Sequence, residues 1–336
     1  MVATTYYPFF FASLVVLYIT SEETSSFSTL ITFDVDGTLV SSSPGWEEGA
    51  HARSFTHAVN SILVKSNDDD DDASASPSTI PQLLEKHEYH GSTDGLILMR
   101  LARKMMGATF DKTEASSKLD LMMDAMYRFV SNCTDDEVRR GIAPLPGTIE
   151  TLKSLASYED VAFGLVTGNV EGIARRKMHS LGILDTGALT SVKQPPRLGE
   201  RVWEGMEEKR FVGGFGSDFC SGDIDNPERN YLDRGEQLAI CVQKLNLFHN
   251  NSHITRVIHV GDAPADILAA KSYAFQNKSK PKNCSVGVIG VATGSYSVEE
   301  LRVLCGERIP GVWEPVVLED GIGVGDREAF IKACRL

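Results

Sequence analysis

The chain has 336 residues, 42% hydrophobic and 24% charged, with 29 Gly and 13 Pro. This composition excludes collagen-like, low-complexity and wholly disordered classes, and the length suffices for two domains or for one domain with a large insertion. The formal net charge of −13 disfavours a nucleic-acid-coating role, so no nucleic-acid partner is expected, while a local cationic pocket for a small anion remains compatible with it.

The apolar run at 6–19 is too short for a comfortable membrane span. It has the length of a signal-peptide core, but no Lys or Arg precedes it. Residues 1–28 therefore read either as a cleavable targeting segment or as a disordered start. No stable membrane association is expected, and the compartment is cytoplasmic or organellar. The six cysteines, Cys133, Cys220, Cys241, Cys284, Cys305 and Cys334, form no CxxC pair and read as free thiols in a reducing compartment.

The run LITF at 30–33 has the character of a buried parallel strand and stops at DVDGTLV. From 45 to 65, Phe55, Val59, Ile62 and Leu63 recur at spacings that predict a helix. The Asp/Ser-rich stretch 66–80 is expected to be a disordered loop, because it offers too little apolar surface to offset its ordering entropy. An EF-hand calcium loop would need a fixed Gly and a closing Glu that are absent there. Further helices are predicted over 94–106 and 115–130. Beyond residue 140, helix 147–157, strand 161–166, helix 173–181, strand 256–260, helix 265–273 and strand 285–291 alternate. Such alternation implies right-handed crossovers and a parallel sheet covered on both faces. The expected fold class is α/β: a doubly wound parallel-sheet, Rossmann-like core from 29–44 and 141–336, with a helical cap from 45–140 inserted after the first strand.

Three predicted strand ends carry polar residues, and in open parallel sheets such ends converge on one site. Asp34 and Asp36 flank Val35 ahead of Gly37 and Thr38. Two carboxylates facing one site repel each other and favour a bound divalent cation, and such a pair can supply a nucleophile and a proton donor. Thr167, Gly168 and Asn169 place a hydroxyl and a helix start where a phosphoryl oxygen could bind, although a plain helix N-cap has the same signature. Asp262 leaves a third strand, and Asp266 follows near the next helix start, where the helix dipole alone could favour it.

Taken together, FDVDGTLV at 33–40, LVTGN at 165–169 and VGDAPADILAA at 260–270 resemble the haloacid dehalogenase superfamily, in particular phosphoglycolate phosphatase and related phosphatases. Supporting stretches are 90–107, 146–155, GGFGSD at 213–218 and 287–301. The resemblance implies that Asp34 attacks phosphorus and forms an aspartyl-phosphate, and that Asp36 serves as acid and then base. It implies that Mg2+ is held by Asp34, the Asp36 carbonyl and Asp262, with Asp266 as a ligand or behind one, and that Thr167 binds a phosphoryl oxygen beside Gly168 and Asn169. It also implies a phosphate-neutralising cation. Here the familiar Lys-Pro form is missing, and Arg234, just before a helical pattern, stands in for it in competition with Lys193, Arg197, Arg229 and Lys177. Within the cap, Arg53, His57, His90 and Arg100 are candidate substrate contacts.

The expected activity is a Mg2+-dependent phosphatase acting on a small phosphorylated metabolite, phosphoglycolate-like or a sugar phosphate. A hexose-phosphate mutase of the same superfamily and an inactive binding scaffold are the alternatives. A true dehalogenase needs neither Asp36 nor a metal carboxylate such as Asp262.

Overall fold

The computed structural model describes residues 27–64, 80–184, 211–248, 254–276, 284–305, 312–323 and 327–336. Nearly all of the expected targeting segment, all but the last residue of the expected acidic loop, and Lys193 and Arg197 lie outside these residues. Phe27 and Ser28, assigned above to the N-terminal segment, belong to the folded core: Phe27 is fully buried, and the Ser28 N–H donates to the Asp160 carbonyl.

The chain begins with β1 (Thr29–Phe33) and β2 (Val40–Ser42), then enters a helical section. That section comprises α1 (Ala50–Val59), α2 (Ile80–Leu83), α3 (Lys86–Tyr89), α4 (Asp94–Met106), α5 (Lys112–Ser117), α6 (Leu119–Ser131) and α7 (Asp135–Arg139). It closes with β3 (Ile142–Pro144), antiparallel to β2. Then follow α8 (Thr148–Ala156), β4 (Val161–Thr167), α9 (Glu171–Ser180), β5 (Phe211–Phe215), α10 (Arg229–Phe248) and β6 (Arg256–Gly261). The last described elements are α11 (Pro264–Gln276), β7 (Ser285–Val291), α12 (Val298–Cys305), β8 (Val316–Leu318) and α13 (Arg327–Ala333).

Six strands form a parallel sheet in the order β5-β4-β1-β6-β7-β8. β1 and β4 are buried along their whole length, as strands covered on both faces are, and the buried Thr32 hydroxyl of β1 donates to the Ile258 carbonyl. Alternate side chains serve opposite faces. Ile31 and Phe33 join Leu152, Met178 and Phe330 of α8, α9 and α13. Leu30 joins Leu238, Val242, Ile267 and Tyr273 of α10 and α11. The helical section has a core of its own, in which Phe55, Leu98, Met122 and Met126 pack together and against Val170 and Ile173 at the start of α9.

Two differences from the sequence reading have clear physical origins. The helix expected over 115–130 is broken at Lys118, whose backbone (φ −104°, ψ 4°) leaves the helical region. Asp111 caps the first piece by accepting the Thr113 and Glu114 N–H groups, while the apolar period runs on across the break through Ala115, Leu119 and Met122. The second concerns Arg234, which lies within α10 rather than before it, because the helix already starts at Arg229.

What places Arg234 under the sheet is Gly214 of β5. A Cβ on Gly214 would lie 1.8 Å from the Gln237 carbonyl oxygen of α10, so only glycine lets the helix press this close. A Gly214→Ala substitution is expected to force α10 outward and to cost about 1–3 kcal/mol of stability as overpacking. Gly290→Ala in β7, whose added methyl would meet side chains only at 3.4 Å and beyond, should cost clearly less. Urea unfolding of both variants checks this ordering.

Candidate active site

Parallel register brings the three polar strand ends to one edge of the sheet. Phe33 is aligned with Leu165 of β4 and Val260 of β6, so Asp34, Thr167 and Asp262 emerge side by side. β1 lies where the strand order reverses, with β4 on one side and β6 on the other, the position at which open α/β sheets leave a crevice. The Asp34 N–H still donates to the Val260 carbonyl at 2.9 Å, which fixes the carboxylate at the strand end. Gly37 turns the chain at φ +85°, and a Cβ there would sit within 2.6 Å of all three Asp262 carboxylate atoms, so this turn requires glycine.

Asp34, Asp262 and Asp266 are buried, and each offers a carboxylate oxygen within 4.8 Å of the others. At an effective dielectric of about 20, each such pair of full charges would repel by on the order of 3 kcal/mol. Arg234, fully encased, offsets part of this. Its Nη1 donates to Asp34 Oδ1 at 2.7 Å and to the Val166 carbonyl at 3.1 Å, and lies 3.3 Å from Asp266 Oδ1. Its Nε is buried with no hydrogen-bond partner among the described residues. One guanidinium faces three carboxylates, which leaves an excess of negative charge. Burial pushes the Asp34 carboxyl up to about 6 against the pull of Arg234, with Asp266 and Asp36 adding to the rise. Burial and the neighbouring Asp266 and Asp34 raise Asp262 well above the ordinary carboxylate range. Asp266 goes the other way, because Arg234 and His259 outweigh its burial.

This donor set fits a hard divalent cation: all three candidate ligands are carboxylate oxygens, and Thr38 Oγ1 and the Ala263 N–H orient Asp262 and Asp266 at 3.3 and 3.1 Å. Asp34 Oδ1 accepts the Val35 N–H at 2.8 Å as well as Arg234, so Oδ2 is the oxygen without a donor among the described residues.

Asp36 is less enclosed, with 38% of its side chain exposed, and is held by a second cation. Lys177 Nζ, from α9, donates to its Oδ1 at 2.9 Å and Oδ2 at 2.8 Å, and to Asn169 Oδ1 at 3.0 Å. Burial works against the Asp36 charge, but the Lys177 ammonium prevails and holds the carboxyl below its usual range. Thr167 Oγ1 accepts the Asn169 N–H at 3.4 Å, leaving its proton free to donate into the site.

Arg234 and Lys177 are thus the candidate cations that reach the site. Arg229 instead pairs with Asp233 at 2.7 Å. Of the helical-section candidates, only His90 lines the cavity above the carboxylates. Arg53 pairs with Glu137 at 3.9 Å, and the His57 ring packs on Phe129. Arg100 is spent on Ser92 and Asn230 at 2.8 and 3.2 Å. His51 and Asp94 escaped the sequence reading. His51 Nε2 lies 3.2 Å from Asp94 Oδ2, which also accepts the Val170 N–H at 2.8 Å, and both residues line the cavity. No spacing in the sequence pairs residues forty-three positions apart.

Protons and a cation compete for the same acids. In the metal-free protein, acids raised above their unfolded value bind protons that the unfolded chain has released. Their contribution to stability therefore falls as pH rises from about 4 through about 6. A divalent cation reverses this. Mg2+ should accordingly raise Tm more at about pH 7.5 than at about pH 5.5, and a chelator should abolish the gain. An equal gain at both pH values would contradict the assignment.

The family model of the haloacid dehalogenase-like hydrolases matches residues 29–273, a span that contains β1, the helical section, α10, Asp262 and Asp266. No curated protein matches the chain. Among the described residues, no helix is long and apolar enough to cross a membrane. The strand ends, the buried carboxylates and this match over most of the chain lead to one assignment: the protein belongs to the haloacid dehalogenase-like hydrolases.

Proposed function

We propose that the protein is a Mg2+-dependent phosphatase that hydrolyses a small phosphomonoester through an aspartyl-phosphate on Asp34. The observation that carries this reading is the division of labour between the two carboxylates of DVDGT. Asp34 is pinned by one oxygen to Arg234 and the Val35 N–H, with the other oxygen free. Asp36 sits more openly on the same turn.

Bound at Asp34, Asp262 and the Asp36 carbonyl, with Asp266 close behind, Mg2+ would neutralise the excess carboxylate charge and screen the approach of a phosphate dianion. Asp34 Oδ2 attacks phosphorus, and the leaving alcohol departs on the opposite side. Arg234 keeps Asp34 ionised and aimed. The Thr167 hydroxyl and the donors around Asn169 hold the phosphoryl oxygens in line, so the residues act by positioning and charge stabilisation. Asp36 protonates the leaving oxygen and then takes a proton from the water that hydrolyses the acyl-phosphate. Its ion pair with Lys177 keeps it charged before substrate arrives. A phosphate dianion entering beside it raises its proton affinity and draws Lys177 away, which turns the carboxylate into a usable acid.

The helical section, residues 45–140, acts as a cap over the site. It contributes His51, Phe55 and His90 to the cavity, and contacts the core through Lys86 Nζ on the Ser295 carbonyl at 3.0 Å. Covering the phosphorus keeps bulk water out during the first step.

Asp34→Asn should abolish turnover of every phosphate ester while preserving the fold. Asp36→Asn should lower kcat/KM, which reports the steps through release of the alcohol, about 10²–10⁴-fold for alkyl esters and far less for p-nitrophenyl phosphate, whose leaving group needs no proton. Steady-state assays on both variants check this. Equal losses on the two ester types would remove Asp36 from the acid role. A chain that transfers phosphate between sugar hydroxyls but releases none would be a mutase.

A further inference from the structure

The reach of the phosphatase reading extends to the alcohol it releases. The cavity above Asp34 has a volume of about 180 Å3. On the core side its lining is polar: Asp34, Asp36, Thr167, Lys177, Arg234 and Asp262. On the helical side the wall is made largely of Trp46, Phe55, Ile80, Ile97, Val138 and Ile142. Four of these, Phe55, Ile80, Ile97 and Val138, are between 2% and 7% exposed, so they form a fixed surface rather than mobile fringe.

The polar groups on that same side are largely committed. Asp94 Oδ2 serves the Val170 N–H and His51. The Ser92 hydroxyl donates to Asn230 Oδ1 at 3.0 Å and accepts from Arg100 at 2.8 Å. His90 lies 3.3 Å from Ser295 Oγ. Ser42 and Arg140 are exposed, and Tyr89 is only half-buried. Few buried donors or acceptors are left to meet a polyol.

We infer that the leaving group is a compact apolar alcohol, branched-alkyl or with a single aromatic ring, and not a sugar. This rests on the phosphatase reading and narrows its substrate to one chemical class. An apolar body gains from the wall of Trp46 and Phe55 by burial. A sugar loses its water there and leaves hydroxyls unpaired, each worth about tenfold in binding or more. Arg140, exposed beside the cavity and with no ion pair within reach among the described residues, supplies local positive charge that draws a phosphate dianion into an otherwise acidic protein.

The test compares kcat/KM, with Mg2+, for isoamyl phosphate and 2-phenylethyl phosphate against glucose 6-phosphate and glycerol 3-phosphate. All four are esters of primary alcohols, so leaving-group chemistry is matched and the comparison reads the pocket. The apolar esters should win by at least about 100-fold, two unpaired hydroxyls at roughly tenfold each. Trp46→Ala, at a half-buried position whose truncation the fold can accept, should lower that advantage by about tenfold. Polyol esters turned over as well as apolar ones would overturn the inference and leave the phosphatase reading intact. Failure on all four esters and on p-nitrophenyl phosphate, by protein whose Tm still rises with Mg2+, would overturn both.

Discussion

Three buried carboxylates converge on one guanidinium, and the rest of the molecule is arranged to make that tolerable. Arg234 is encased between α10 and the sheet, with Nη1 shared by Asp34, the Val166 carbonyl and, at longer range, Asp266. Removing Arg234 would leave the buried carboxylates without their cation, a loss of about 3–5 kcal/mol. Gly214 of β5 admits the helix, the parallel register aligns β1, β4 and β6, and the turn at Gly37 lets Asp262 approach. The remaining negative charge is what a divalent cation would neutralise, so the same strain that burdens the metal-free fold favours the functional state.

The second cation resolves a difficulty that the first creates. Were both aspartates of the DVDGT turn equally buried and equally charged, neither role would be separable. Arg234 governs Asp34, while Lys177 governs Asp36 from α9. The burial of Lys177, 4% exposed at its side chain against 38% for Asp36, makes the pair one-sided. The ammonium is held in place, and the carboxylate has room to move.

Most of the core was legible in the sequence because its signals are local. A buried parallel strand is an apolar run, and polar residues at its end have no packing reason to be there. Thus Asp34, Thr167 and Asp262 stood out, and the structure brings them together. What stayed hidden depends on long-range packing. Lys177 was one candidate cation among several, and nothing in the sequence singled it out until α9 turned it toward Asp36. The pairing of His51 with Asp94 joins α1 to α4 and leaves no trace in either segment alone. The stretch 220–230 has a structural task of its own. Asp223 and Asp225 meet Lys112, and Asp225 also meets Arg103, so this loop ahead of α10 is tied to helices α4 and α5. Those pairs are exposed, and contribute orientation more than stability.

In the proposed mechanism Asp34 is the nucleophile, and that is open to direct observation. A phosphate ester mixed with excess Asp36→Ala enzyme and Mg2+, quenched in acid within the first turnover and digested, should yield a phosphorylated peptide spanning Asp34. The label should be released by hydroxylamine, as an acyl-phosphate is. Product alcohol formed in the wild-type enzyme with no phosphate on that peptide at any quench time, in either protein, would contradict the account and point to direct attack by water.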